Sequence, residues 1–457
     1  MTLISSISGI RGTVNGRNSL NLTPVDVVKY VSAYGTWIKS KSSSDNNTIV
    51  VGRDGRISGS TLLEIVKSTL VSMGINVIDT DLSTTPTTQI IIQEKKAEGG
   101  IILTASHNPK NWNALKLFNS KGEFLVKDEA EEIFKIVKEN LFEFNKEDDY
   151  GIVYEETNAF KIHINDAINL KLVDANNIKK KGFKIVVDGI NSSGGIIIPQ
   201  LLEKLGASVI KINCKPDGNF SHNPEPLDKN LSELKSSVVK ENADLGIAID
   251  PDVDRLVFVC ENGTLFGEEN TLVACADYVL SKTKGSTVSN MSSSMSLDII
   301  SKKHECKYFS SKVGEINVVE KMKEVGAIIG GEGNGGIIYP ESHYGRDALV
   351  GVVLFLSHLA ELNIKSSELL NLYPKFFMIK DKINLSESFN FYDFQKIIKK
   401  HYKNFEIDDR DGIKIVFSKS WLHIRKSNTE PIIRIYTESE GKNECDDIIK
   451  EFKALIN

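Results

Sequence analysis

Cysteine is scarce in this 457-residue chain, and Cys214, Cys260, Cys275, Cys306 and Cys445 form no C-x-x-C pair. Such scatter excludes a thiolate zinc site and a disulfide framework, so five reduced residues are expected. No segment reaches the run of about eighteen apolar residues that a membrane-spanning helix needs. The first residues, Met1-Thr-Leu-Ile-Ser-Ser-Ile-Ser-Gly-Ile-Arg11, lack the basic and apolar regions of a secretory signal. A soluble cytoplasmic chain is the expectation. Basic tracts and aromatic-basic stripes are also missing, and the net charge is -5, which argues against a nucleic-acid partner. Small anionic ligands stay open, because local clusters matter more than the total.

What is present is organised around Thr104-Ala-Ser-His-Asn-Pro109. The apolar run Gly99-Gly-Ile-Ile-Leu103 leads into it, so Ser106 and His107 fall where a buried strand opens into a loop, the place where α/β enzymes keep reacting groups. Before it, Thr48 to Asp54 reads as a strand, Ser58 as the cap of a helix to about Met73, Asn76 to Asp79 as a strand and Thr85 to Lys95 as a helix. That is the β-α-β-α-β rhythm of a parallel sheet. A similar pattern recurs from Lys184-Ile-Val-Val-Asp188 to Ala243-Asp-Leu-Gly-Ile-Ala-Ile249, and more weakly from Thr287 to Gly336. The last part, from about Pro374, alternates β-branched and aromatic residues and closes with a helix, as an α+β cap would. At this length three or four domains are expected.

Three further stretches carry chemistry. Asp250-Pro-Asp-Val-Asp-Arg255 follows a buried strand, and its alternation lets Asp250, Asp252 and Asp254 converge on one hard cation. An EF-hand is excluded, although Glu261 falls at loop position twelve, because Arg255 stands where that loop needs glycine and Leu256 to Cys260 reads as a strand. Gly331-Glu-Gly-Asn-Gly-Gly336 matches the dinucleotide fingerprint in letters only, since Ile337-Ile-Tyr-Pro340 follows it instead of a helix. The alternative is a flexible loop that presents Glu332 and Asn334 to ligand hydroxyls. Arg425-Lys-Ser-Asn-Thr-Glu-Pro431 gathers guanidinium, hydroxyl and amide donors suited to a phosphate dianion. His163, His343, His358 and His401 show no partner pattern.

These four motifs, in this order and across essentially the whole chain, resemble the α-D-phosphohexomutase superfamily. The resemblance implies an α/β fold of three similar mixed-sheet domains plus a C-terminal α+β domain around a central cleft. Mapped on this chain, the expected units are 1-150, 151-256, 257-372 and 373-457, carrying the phosphoserine, metal, sugar-binding and phosphate-binding loops. The resemblance makes Ser106 the phosphoserine beside His107, and gives Mg²⁺ to Asp250, Asp252, Asp254 and an oxygen on Ser106. Arg11, Lys116 and Arg255 surround the moving phosphoryl group, as charge neutralisation requires. Gly314, Glu315, Glu332 and Asn334 meet the sugar, while Arg425, Ser427, Asn428 and Thr429 hold the phosphate that is not reacting.

The implied reaction interconverts hexose 1-phosphate and 6-phosphate through a 1,6-bisphosphate, which also serves as activator. Glucosamine phosphate is the favoured substrate, with glucose and mannose phosphates as the alternative. A sugar phosphatase, or a sensor without catalysis, is the reading from another class. Three departures stand out. Asn334 and Gly336 replace a Ser and a His common in relatives, Glu315 follows Val313-Gly314 where His or Asp is usual, and Pro251 replaces a glycine. Glu315 is expected to attract an ammonium at C2 of the sugar. No partner beyond a small sugar phosphate is implied, and the expected state is monomer or homodimer.

Overall fold

The computed structural model describes residues 2-42, 47-384, 391-426 and 432-455. Ser427, Asn428 and Thr429, expected to hold phosphate, lie outside the described residues. The first sheet has seven strands in the order β1-β2-β6-β5-β3-β4-β7. They are β1 (Ile4–Ser6), β2 (Gly9–Thr13), β3 (Thr48–Arg53), β4 (Asn76–Leu82), β5 (Gly99–Leu103), β6 (Trp112–Asn119) and β7 (Val153–Glu155). The second sheet orders β8 (Lys184–Asp188), β9 (Ser208–Ile212), β10 (Leu245–Ile249) and β11 (Leu256–Cys260) as β11-β10-β8-β9. The third orders β12 (Ser286–Asn290), β13 (Tyr308–Ser311), β14 (Ala327–Glu332) and β15 (Gly336–Ile338) as β13-β12-β14-β15.

These three sheets share one device. A parallel core ends in a buried or nearly buried strand, and the next strand returns antiparallel to it: β6 beside β5, β11 beside β10, β15 beside β14. Each functional motif is the connection at that reversal. Ser106, the aspartate cluster and the Glu332 turn are therefore topologically equivalent loops. The purely parallel rhythm read from the first unit stops at β5, because residues 104-111 are too short for a crossover and permit only a return. The fourth sheet is wholly antiparallel, ordering β16 (Phe377–Asn384), β17 (Glu406–Asp408), β18 (Ile413–Val416), β19 (Ser420–Lys426) and β20 (Ile432–Ser439) as β16-β20-β19-β18-β17.

Two expected boundaries move. β7 joins the first sheet beside β4, so that unit runs past residue 150, and β11 closes the second sheet, so that unit runs past 256. Local signals also shift. Ser58 makes no cap bond, and its hydroxyl accepts instead from Asn113 Nδ2 at 2.9 Å. Thr84 does cap the helix Thr85–Lys95, accepting the Thr87 N–H. The helix Ala348–Leu362 is buried from residue 348 to 360. Its apolar residues on every side fit a helix enclosed by protein, and one hydrophobic cluster runs from Ile164 to Tyr373 through the second and third units.

The fourth unit keeps its own cluster, built from residues between Ile379 and Leu455. Polar contacts join it to the third: Glu438 accepts the Met295 N–H, Lys414 Nζ donates to Met291 O at 2.7 Å, and Lys380 faces Glu268 and Glu269. His423 lies in this seam. Its Nε2–H donates to Asp411 O at 2.7 Å, so Nδ1 accepts from Ser292 Oγ at 2.8 Å. Burial, with Lys414 and Arg425 nearby, pushes the ring down to about 4. The folded chain then holds fewer protons here than the unfolded chain from pH 6.5 downward, so the stability is present above 6.5 and lost as pH falls through 4. Acidification is expected to loosen β19 by on the order of 3 kcal/mol. Amide exchange at pH 7 and pH 4 checks this, and a His423→Gln variant with the parental pH dependence would refute it.

Candidate active site

The loop carrying Ser106 is held from behind by a residue that the motifs leave unassigned. Arg56 and Asp54 are fully buried, with Nε 3.0 Å from Asp54 Oδ2. The remaining guanidinium donors serve four carbonyls of the loop: Ser106 at 2.5 Å, Asn108 at 2.8 Å, Pro109 at 2.7 Å and Trp112 at 3.0 Å. Loop carbonyls buried this way need donors, and one planar fork supplies them. Thr104 Oγ1 donates to Asp54 Oδ2 and accepts the Ser106 N–H. So constrained, Ser106 adopts φ +49°, in the left-handed region that L residues avoid. Its Oγ donates to Asp250 Oδ2 at 2.7 Å.

Asp250, Asp252 and Asp254 are wholly buried, and one oxygen of each lies within 4.8 Å of the others. Between them Val253 sits at φ +63°, an uncommon conformation for a β-branched residue, with its side chain in the core. Asp250 Oδ1 accepts the backbone N–H groups of Asp254 and Arg255. Asp252 Oδ2 takes Lys116 Nζ at 2.6 Å and the Thr85 hydroxyl. Asp254 Oδ2 takes Arg346 at 2.7 Å and Lys116 at 3.3 Å. Oδ1 of Asp252 and Oδ1 of Asp254 are left buried without a hydrogen-bond partner among the described residues.

Three carboxylates so close repel one another. Burial and the charges of Asp254 and Asp252 push Asp250 well above the carboxylate range. Asp254 goes the other way, since Arg346, Lys116 and Arg255 overcome its burial. Lys116 stays above the ordinary lysine value, its burial outweighed by Asp252 and Asp254. Two orphaned oxygens in an all-carboxylate set fit a hard divalent cation, which is what such a set lacks.

Arg255 reaches across this cluster. Its Nη2 donates to His107 Nδ1 at 2.8 Å; arginine only donates, so that nitrogen is bare and the ring proton is assigned to Nε2. Burial, Arg255 and Arg11 drive the His107 pKa well below its usual value, leaving a neutral imidazole. Arg255 Nε has no hydrogen-bond partner among the described residues and lies 4.0 Å from both Asp250 and Asp254. Arg11, on β2, donates to the carbonyl and hydroxyl of Ser8 and feels the charges of Asp252 and Asp254.

The Glu332 turn is not the flexible loop expected. It is a tight β14-β15 connection in which Gly335 has φ +85° and a Cβ there would meet Leu256 O at 2.3 Å. Close approach to the metal-loop strand, rather than a pyrophosphate, demands that glycine. Glu332 is buried, with Oε1 accepting from Asn290 Nδ2 and the Gly314 N–H, and Oε2 from Arg346. Glu315, expected to attract a C2 ammonium, is likewise held against Arg346 at 3.0 Å, a guanidinium that it shares with Asp254 and Glu332. Asn334 Oδ1 accepts the Gly336 N–H.

One continuous cleft joins these groups, in two chambers of about 390 and 540 Å³. Both are lined by His107, Arg255, Glu332, Asn334 and Arg425. Arg425, from the fourth unit, has Nε 3.0 Å from Asp411 Oδ2, which also accepts the Val313 N–H of the third.

Comparison with known proteins matches this architecture unit by unit. Models of the phosphoglucomutase/phosphomannomutase family fit residues 4-144 (alpha/beta/alpha domain I), 161-263 (domain II), 268-376 (domain III) and 382-455 (C-terminal domain). A phosphoglucomutase/phosphomannomutase of Thermococcus kodakarensis is 34% identical over 96% of this chain and 94% of its own. The chain belongs to the phosphoglucomutase/phosphomannomutase family. A phosphoglucosamine/phosphogalactosamine mutase of Sulfurisphaera tokodaii, another relative, is 32% identical over 98% of both chains. A family member of Burkholderia thailandensis has the same fold, with a TM-score of 0.86 at 22% identity, covering all of this chain and 98% of that one.

Within the family frame, the structure brings Ser106, His107, Lys116, Arg255, Glu315 and Glu332 to one cleft, with Arg11, Gly314, Asn334 and Arg425 along its walls and the three aspartates buried behind Ser106 and Lys116. Sequence reading missed Arg56, Thr85, Arg346 and Asp411. Arg56 had a signal, the charged turn Gly52-Arg-Asp-Gly-Arg56; the other three had none.

Proposed function

We propose that this protein is a phosphohexomutase that moves a phosphoryl group between Ser106 Oγ and the 1- and 6-oxygens of a hexose phosphate, with glucosamine phosphate as preferred substrate. The carrying observation is the 2.7 Å contact between Ser106 Oγ and an aspartate cluster with two oxygens that have no hydrogen-bond partner among the described residues. Asp250, Asp252 and Asp254 would hold Mg²⁺, which when bound supplies charge neutralisation at the phosphoryl oxygens. Arg255 Nε, Lys116 and Arg11 offer positive charge on the same side. Neutral His107 keeps its Nε2–H as a donor. Phosphoryl transfer needs little covalent work from the protein, so this positioning accounts for most of the catalysis.

A bisphosphate formed at Ser106 has to turn and return its other phosphate. Glu332 and Asn334 would meet the sugar hydroxyls, and Arg425 with Ser427, Asn428 and Thr429 the distal phosphate. That phosphate competes with Asp411 for Arg425. The test is a coupled assay with Mg²⁺ and a trace of hexose 1,6-bisphosphate, offering glucosamine, glucose and mannose phosphates side by side. Glucosamine phosphate is expected to turn over fastest. Comparable rates on glucose and mannose phosphates would shift the assignment to the activity named for the Thermococcus kodakarensis relative, and release of inorganic phosphate alone would overturn it.

A further inference from the structure

Arg346 lies outside every motif, and no step above uses it. Its side chain is buried and divides its donors among three carboxylates from three segments. Nη2 donates to Asp254 Oδ2 at 2.7 Å, Nη1 to Glu332 Oε2 at 2.9 Å and Nε to Glu315 Oε2 at 3.0 Å. Asp254 belongs to the aspartate loop and Glu332 to the sugar turn, so a single planar fork spans both.

The backbone that carries the fork is itself pinned. The Asp347 N–H donates to Ile337 O, and the Ala348 N–H to Val253 O inside the aspartate loop. Asp347 Oδ1 caps the helix Ala348–Leu362, while Oδ2 takes His163 Nε2 at 2.8 Å and His343 Nε2 at 3.1 Å. His163 comes from the second unit, and its Nδ1 meets Thr87 Oγ1 of the first. Arg346 is therefore a fixed post anchored by three units.

Two consequences follow from the geometry. With Oδ2 of Asp254 engaged, Oδ1 is the oxygen left without a hydrogen-bond partner among the described residues, in the cluster suited to a cation. At the other end, a Cβ on Gly336 would lie 2.2 Å from Arg346 Cδ, so the arginine fills the space that a side chain in the sugar turn would take. Moving the turn moves the fork.

We propose that Arg346 is a positioning residue that sets Asp254 for the cation and Glu332 for the sugar, and that through it a change in the sugar turn alters cation affinity. The proposal rests on the reading of the aspartate cluster as a Mg²⁺ site. Calorimetric titration of Mg²⁺ into the parent, Arg346→Lys, Gly336→Ala and the double variant separates the two, with thermal melts checking the fold. Lysine keeps the charge and loses the fork, and outer partners of metal ligands are typically worth about 10- to 100-fold in affinity, so that loss is expected for Arg346→Lys. Gly336→Ala touches no aspartate of the cluster, yet is expected to weaken Mg²⁺ severalfold, and the two effects should not add.

A parent that binds no Mg²⁺ defeats the cation reading and this proposal with it. A parent that binds, beside a folded Arg346→Lys of unchanged affinity or effects that add, overturns the proposal alone. Should Arg346→Lys fail to fold, Gly336→Ala decides: weaker Mg²⁺ binding supports the coupling and parental affinity ends it.

Discussion

Ser106→Ala is expected to fold as the parent does and to lose at least about 10⁴-fold in mutase turnover, the scale seen when a reacting nucleophile is removed. The hydroxyl's side-chain partner among the described residues is Asp250 Oδ2, and that carboxylate keeps the Asp254 and Arg255 backbone N–H groups on its other oxygen when the hydroxyl is gone. Stability should therefore change little. Backbone strain adds a second, independent expectation: at φ +49° glycine relieves a steric cost that alanine retains, so Ser106→Gly should be about 1 kcal/mol more stable than Ser106→Ala while equally inactive. Turnover and thermal melting of both variants check the pair. Substantial residual activity in either would remove Ser106 from the reaction.

Arg56→Met is the second large effect, and it acts at a distance from the reacting atoms. The substitution strips donors from four loop carbonyls and leaves Asp54 without its buried cation. Breaking a buried pair from one side typically costs about 3-5 kcal/mol. Asp54 is already pushed upward by burial, so it can accept a proton, which places the expected loss at the lower end. The loop no longer has a frame, and a misplacement of about 1 Å at Ser106 is enough to cost about 100-fold in rate. Arg56→Lys should recover part of the stability and little of the rate, because one ammonium cannot serve four carbonyls in a plane. Thermal melts and turnover of both variants decide it, and a Met variant that melts and turns over as the parent does would show that the loop holds its own shape.

Much of the site was legible because each reacting group ends an apolar strand. Gly99 to Leu103, Leu245 to Ile249 and Ala327 to Glu332 all announce themselves as buried runs, and the polar residues that follow must then lie at the sheet edge. What the sequence hid is where side chains from distant segments meet. Arg346 and Asp347 carry no mark of their burial in the sequence, because a buried arginine and a solvated one have the same letter. The same holds for His163 and His343, which looked unpartnered and share one oxygen of Asp347 across 184 and 4 residues. The direction of β6, β11 and β15 was hidden too, since alternation in a strand does not reveal which way it runs. The glycines of residues 331-336 read as flexibility for a related reason: they are there because backbone must come close to something, and here the neighbours are Leu256 O and Arg346.

The seam between the third and fourth units bears on how the enzyme behaves when open. Hydrogen bonds and ion pairs run along it, such as Glu438 with Met295 and Asp411 with Val313, beside the buried Trp421 ring, while the apolar cluster of the fourth unit closes on itself. Parting the two units would exchange protein partners for water at the polar groups. Water is a fair substitute for such partners, whereas a greasy seam would adhere to other chains each time it parted. A catalyst that has to let a product go on every cycle would thus find water ready to take over the polar half of this seam.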